Sequence, residues 1–158
     1  MLVTNITVLV IDAHTHMRTA ISQALIPQAA IKLVVTAQDY TEAEKQTAQL
    51  FPDIIWLEIN IGRTDSIAEI QRLKQLSPAS HIMVITNQED EQEAYAAILA
   101  GAQGYHSQEH LDPEKIMSWI QMLYRDEFVL RPALLMRLMK RLRAAVLGKS
   151  QNAPDFRS

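Results

Sequence analysis

The sequence predicts an α/β domain, a doubly wound five-stranded parallel sheet with helices on both faces, followed by one extra C-terminal amphipathic helix. Three observations carry this. Short aliphatic and β-branched runs recur along the chain and are apolar throughout instead of alternating, so each reads as a strand buried on both faces. Segments with apolar residues at helical spacing lie between them. The connections are short and strand and helix alternate five times, the pattern of parallel strands joined by crossover helices.

The first strand is Ile6 to Ile11, which stops at Asp12. A helix from His16 to Leu25 follows and ends near Pro27, which cannot continue it. Lys32 to Ala37 is the second strand, and a capping box of Thr41 with Glu44 opens the second helix. Ile54 to Leu57 is the third strand, and a second capping box, Ser66 with Glu69, opens the third helix. Ile82 to Thr86 is the fourth strand, followed by a helix from Gln92 to Ala100 closed by Gly101. Gly104-Tyr105-His106 is a weaker fifth strand. Asp112-Pro113 sets a capping acid before a proline suited to a first helical turn, and Ile116, Trp119, Ile120 and Leu123 line one face of the fifth helix. After Arg131-Pro132, Leu135, Met139, Leu142 and Val146 form a stripe at near-heptad spacing, opposite Arg137, Lys140, Arg141 and Arg143. This sixth helix is an interaction element, expected either to pack back onto the domain or to pair with a second copy. Residues 148–158 are polar and read as a linker or disordered tail.

Composition narrows the function classes. At 158 residues and 48% hydrophobic, the chain fills one sizeable core. It has no cysteine, so disulfides, zinc-thiolate sites and thiol nucleophiles are excluded. No apolar run approaches the roughly 18 residues of a membrane span and no basic-then-apolar leader opens the chain, so a cytoplasmic protein without membrane contact is expected. The net charge of -3 conceals an asymmetry, with 7 basic and 15 acidic residues in Met1–Tyr124 against 8 and 3 in Arg125–Ser158. The basic tail fits a solvated helix face or contact with nucleic acid. Gly-rich phosphate loops, nucleophile elbows and His-Glu metal motifs are lacking, so no enzymatic activity and no catalytic residue is expected. Trp56, Met83, Met117, Met122, Met136 and Met139 are expected to be packing atoms.

In a doubly wound sheet, ligands gather at the carboxyl ends of the strands. Those ends are Asp12-Ala13-His14, Glu58, Thr86-Asn87 and Tyr105-His106-Ser107-Gln108. With their strands they make an ordered set: Val8 to His14, Pro52 to Glu58, Val84 to Thr86, Ala100 to Tyr105, and Arg131-Pro132-Ala133-Leu134 at the head of the sixth helix. The set resembles the receiver domain of response regulators, particularly the NarL/FixJ type, in register over about residues 4–147. The resemblance implies a CheY-like strand order 2-1-3-4-5. It also implies a receiver-like domain over 1–125, a linker helix over 126–147 and an interdomain joint over 148–158.

In that family, two adjacent acids after the first strand and an aspartate after the third hold Mg²⁺, and that aspartate accepts a phosphoryl group. A lysine after the fifth strand and a hydroxyl after the fourth contact the phosphate. The resemblance places Asp12 at the first acid, Ala13 at the second, Glu58 at the acceptor and Gln108 at the lysine, and it keeps Thr86 and the aromatic Tyr105 as switch residues. A degenerate phosphoacceptor pocket is expected, with Mg²⁺ binding weak or absent and no other cofactor, because Mg²⁺ demands near-octahedral oxygen coordination. Phosphoryl transfer depends on positioning and charge neutralisation, and a pocket of Asp12 and Glu58 without a lysine carries two negative charges and no offset. Gln108 is expected to donate its amide to Glu58. Glu58 reaches about 1.5 Å farther than aspartate and so partly imitates the phosphorylated state.

The expected function is that of an atypical receiver in signal transduction or transcription regulation, independent of phosphorylation. It would act by contact with a protein partner or a second copy, through helix four, strand five and helix five. DNA would be reached only through a helix-turn-helix domain, which this sequence does not contain. Three alternatives stand beside it. One is a conventional phosphorylated receiver, with Glu58 or Asp53 accepting, although Asp53 lies about 16 Å from the strand's end. Another is a small-ligand sensor using the strand-end cleft. The last is a transition-metal site at His14 and His16, with Asp12 and Glu58 or His106.

Overall fold

The structure, a computed structural model, describes residues 5–59, 65–109 and 111–152, with side chains to Gly148. Strand and helix alternate as β1 (Ile6–Ile11), α1 (Thr15–Leu25), β2 (Ile31–Ala37), α2 (Tyr40–Leu50), β3 (Ile54–Glu58), α3 (Ser66–Leu76), β4 (His81–Thr86), α4 (Glu91–Ala100), β5 (Gly104–Ser107), α5 (Pro113–Tyr124) and α6 (Pro132–Asn152). The strands pair in parallel in the order β2-β1-β3-β4-β5. This is the expected CheY-like arrangement.

Period-two alternation sends each strand's side chains into two separate cores. Leu9, Ile11, Ile55, Leu57, Ile82 and Val84 face α2, α3 and α4, while Val8, Val10, Ile54, Trp56, Met83 and Ile85 face α1 and α5. Every residue of β3 is buried, which explains its unbroken apolar sequence up to Glu58. Trp56 and Met83 pack inside as expected, but Met136 and Met139 are largely exposed.

Two helix starts differ from the capping-box reading. The N-cap of α2 is Asp39, which accepts from the amide of Glu42 at 2.8 Å. The N-cap of α3 is Asp65, which accepts from the amide of Ile67 at 3.0 Å. Thr41 and Ser66 lie inside the helices. A carboxylate both accepts the free amides and favours the positive end of the helix dipole, so the aspartates take the caps. At α5 the expected cap is present, with Asp112 accepting from the Lys115 amide at 2.8 Å. Gly101 closes α4 at φ +124°, a backbone region that side chains rarely adopt.

The face on which α6 docks also differs. Leu134 and Leu138 are buried, whereas Leu135, Met139, Leu142 and Val146 are 40% to 58% exposed. The predicted stripe lies about 100° around the helix from the docked one. Burial of the two leucines sets this face, and ion pairs flank it. Arg137 and Arg141 flank the two buried leucines and pair with Glu91 of α4 at 2.9 and 3.6 Å, and Arg131 pairs with Glu89 at 2.6 Å. Arg141 also stacks 4.6 Å above the Tyr95 ring. Of the four cations that suggested a solvated face, Arg137 and Arg141 thus point toward Glu91 of α4, while Lys140 and Arg143 are exposed. The helix continues to Asn152, so residues 148–152 of the stretch read as a linker are helical, and 153–158 lie outside the described residues. Among the described residues no helix is long and apolar enough to cross a membrane.

Candidate functional site

Strands β1 and β3 are direct neighbours, with Ile11 paired to Leu57, so Asp12 and Glu58 emerge side by side at the carboxyl edge. Each is only 4% exposed. His14 closes the mouth of the pocket from the start of α1. Its backbone amide donates to Asp12 Oδ1 at 2.8 Å. Its ring Nδ1 lies 3.1 Å from Asp12 Oδ1 and 3.5 Å from Glu58 Oε2. Arg18 donates to the backbone oxygen of Asp12 at 2.6 Å and to Thr15 Oγ1 at 3.1 Å, which ties the β1–α1 loop to the first turns of α1.

Burial is the main force on Glu58, and with the adjacent Asp12 it raises this carboxyl to about 7. His14 is held above its ordinary value by its hydrogen bond to Asp12, then by the charges of Glu58 and Asp12. The pocket is therefore not a bare pair of negative charges. Near neutral pH Glu58 is partly protonated, and the His14 ring stands against both carboxyl groups. Even so, Glu58 Oε2 is buried without a hydrogen bond.

The expected bond from Gln108 to Glu58 is not formed. The amide of Gln108 donates to Asn87 Oδ1, and its backbone N–H donates to the Thr86 carbonyl at 2.9 Å, continuing the β4–β5 ladder. That register directs the side chain over the β4–α4 loop and away from the pocket. Ala13 is exposed and brings no side-chain donor or acceptor. The Thr86 hydroxyl donates to the Gln88 carbonyl at 3.1 Å.

Tyr105 is completely buried, and its hydroxyl donates to Glu93 Oε1 at 2.6 Å while accepting from the Asp90 amide at 3.0 Å. Burial, with the Glu93 hydrogen bond second, raises this phenol above its ordinary value. Asp53 stands at the opposite end of β3, where Oδ2 accepts from the Thr7 amide at 2.9 Å. It ties the sheet's lower edge and is remote from the pocket.

Among the candidate metal ligands, Asp12, His14 and Glu58 bring three donor atoms within 4.8 Å of one another. His16 lies edge-on to His14 with ring centroids 5.8 Å apart. His106 is separate from the cluster. It stacks on Trp119 at 4.3 Å between centroids, and burial lowers its basicity.

The exposed residues of the α6 stripe, Leu135, Met139 and Leu142, form one wall of an apolar groove whose other wall is Tyr95 and Leu99 of α4, with Phe128 at its end. Sequence reasoning missed the acidic start of α4, where Glu89 and Glu91 hold α6 and Glu93 holds Tyr105. The available signal was the acid-rich run Glu89-Asp90-Glu91 preceding a basic helix.

The profile of the response regulator receiver domain family matches residues 8–121. The nitrate/nitrite response regulator protein NarL of Escherichia coli is 28% identical over 138 residues, which is 87% of this chain and 63% of that protein. The oxygen regulatory protein NreC of Staphylococcus carnosus is 25% identical over 126 residues, 79% of this chain and 58% of its own length. The chain thus spans less than two thirds of these curated relatives. Among solved structures, a two-component response regulator of the LuxR family from Aurantimonas superposes with a TM-score of 0.75 at 20% identity, covering 85% of this chain and 96% of the other. The signal receiver domain of the putative response regulator NarL from Mycobacterium tuberculosis superposes with a TM-score of 0.70 at 18% identity, covering 77% and 97%. At these identities the superpositions show a shared fold.

Proposed function

This chain belongs to the response regulator receiver domain family of two-component signalling, and on that premise we propose that it is a receiver whose output does not depend on phosphorylation. The observation that carries this reading is the composition of the strand-end pocket. Two carboxylates, Asp12 and Glu58, face an imidazole, position 13 is alanine, and the Gln108 amide is engaged by Asn87.

Mg²⁺, which the resemblance implies, does not fit this donor set. It is a hard cation that prefers oxygen ligands, and here a histidine nitrogen stands against both carboxylates where oxygens would be needed. An acyl phosphate would form by attack of the Glu58 carboxylate on the phosphorus of a donor, with departure of the donor's leaving group. Stabilising that transfer takes cationic groups around the phosphoryl oxygens. Glu58 holds a proton up to about pH 7, which further lowers its nucleophilic fraction.

The output is assigned to protein contact. Tyr105 is pinned to α4 by Glu93 and Asp90, and α4 is pinned to α6 by Glu89 and Glu91, so β5, α4 and α6 form one connected surface. A protein partner or a second copy reads that surface, and DNA contact falls to a separate domain.

Hydrogen exchange tests this reading directly. With acetyl phosphate and Mg²⁺, amide protection over β5, α4 and α6 is expected to stay unchanged in the native chain. In the Ala13→Asp, Glu58→Asp, Gln108→Lys triple variant the same treatment is expected to alter it. A native chain that responds like the triple variant contradicts the reading.

A further inference from the structure

We propose that the apolar groove between α4 and α6 docks an amphipathic helix of a partner protein, one whose apolar stripe is bordered by acidic side chains. The inference rests on the reading above and names the chemistry of the partner that reads this surface.

Exposed apolar side chains collect at this groove. Among the described residues eleven large apolar side chains are exposed, and eight of them are the six on α6 together with Leu99 and Phe128. A concentration of that kind marks a contact surface. Leu135, Met139 and Leu142 line one side and Tyr95 and Leu99 the other, over a floor that includes the buried Leu138. None of the lining residues belongs to β5 or α5, so the groove is separate from the surface those two elements make.

Its shape suits a helix. Leu135 and Leu142 stand seven residues apart on α6, about 10.5 Å along the axis. An incoming helix with apolar anchors at i, i+3 or i+4, and i+7 has a stripe of the same length. The hollow measures about 230 Å³, below the roughly 300 to 1,000 Å³ of small-molecule sites. It takes the tips of a few apolar side chains better than a whole ligand.

Charge selects the occupant. Across Pro132–Asn152 the helix carries five cations and no acid. Arg137 and Arg141 are paired with Glu91. Lys140 and Arg143 are exposed and have no ion-pair partner among the described residues. They stand roughly 100° and 40° around the helix from Met139, on the outer side of the stripe. Of the acids closest in sequence to the groove-lining residues, Glu91 is engaged by Arg137 and Arg141, and Glu127 by Arg125. The open rim is therefore cationic, and carboxylates beside an incoming apolar stripe complement it. A second copy would set two acid-free helices side by side, with like charges facing each other. A bilayer surface supplies acid but is flat and does not reach the floor of a concave groove.

The test uses a fluorescein-labelled synthetic peptide of about four helical turns, with leucines at i, i+3, i+4 and i+7 and glutamates beside them. Anisotropy is expected to show saturable binding to the full chain, and the same peptide with lysine in place of glutamate is expected to bind about 10-fold more weakly. Lys140→Glu with Arg143→Glu is expected to invert that preference, and Leu135→Lys with Leu142→Lys to abolish binding of both peptides. All four positions are exposed, and urea unfolding checks that each variant keeps the fold. Absence of saturable binding, equal affinity for the two peptides, or an acidic preference kept by the charge-reversed variant overturns the inference. Two further outcomes do the same: sedimentation showing a dimer of the chain that Leu135→Lys with Leu142→Lys dissociates, and flotation with phosphatidylserine vesicles that this variant loses. None of these bears on phosphorylation, whereas acyl phosphate formation would remove the functional reading whatever the peptides do.

Discussion

Burial does most of the work at the carboxyls that depart from ordinary behaviour, and Glu69 isolates the effect outside the pocket. It is 7% exposed on α3, its Oε1 has no hydrogen bond, and burial followed by the charge of Glu44 raises it to about 7. The unfolded side chain ionises near 4.5, so between that pH and about 7 the folded chain binds more protons than the unfolded one. The stabilising contribution is full below pH 4.5, falls as pH rises to 7, and is level above it. Glu69→Gln is therefore expected to raise stability by about 1 kcal/mol at alkaline pH and to change little in acid, read by urea unfolding at both ends. Tyr105→Phe removes a bond to a carboxylate and one from a backbone amide, and is expected to cost about 1 to 3 kcal/mol, measured the same way. At this scale the sequence showed where side chains stand better than what they touch. The strand-end positions of Asp12, Glu58 and Thr86 followed from counting along the strands, whereas Tyr105, read as the start of a strand end, lies inside β5 beside Val84. The turn of Gln108 toward Asn87 and of His14 toward Glu58 depends on the β4–β5 register and on loop geometry, which no local pattern encodes.

Among the elements, α6 separates what an amphipathic pattern reveals from what it hides. The spacing of Leu135, Met139, Leu142 and Val146 shows an apolar stripe, yet Leu134 and Leu138 anchor the helix, with Arg131, Arg137 and Arg141 paired to Glu89 and Glu91 beside them. Packing and ion pairing are expected to contribute unequally. Leu134→Ala empties a fully buried site and is expected to destabilise by about 2 to 5 kcal/mol, with faster amide exchange along α6. Glu91→Ala removes two half-exposed ion pairs and is expected to cost less than about 1 kcal/mol, decreasing further with salt. The strands were legible because burial on both faces leaves no room for polar residues, as at β3. The helix caps were less so, since Asp39 and Asp65 compete with nearby Thr41 and Ser66 and the carboxylates win.

Over the whole molecule, the contrast between an acidic body and a basic C-terminal segment is partly neutralised within the fold. Arg131, Arg137 and Arg141 face acids at the start of α4, which removes three of the cations that nucleic acid contact would use. What the α4–α6 surface leaves open is apolar, formed by Leu99, Phe128, Leu135, Met139 and Leu142. Exposed positions tolerate substitution, so Leu135→Lys with Leu142→Lys is expected to change stability by under about 1 kcal/mol, read by urea unfolding. A larger drop would show that the two leucines carry packing energy within the fold. The parallel order β2-β1-β3-β4-β5 brings Asp12 beside Glu58 and sets Thr86 on the next strand of the same edge, with Tyr105 beside Val84 two positions below it. A pocket rebuilt on that edge around an imidazole is the centre of this account. The most direct measurement is the intact mass of the native chain after incubation with acetyl phosphate and Mg²⁺. The account predicts an unchanged mass, and a stoichiometric, base-labile gain of one phosphoryl group that is lost in Glu58→Ala would contradict it.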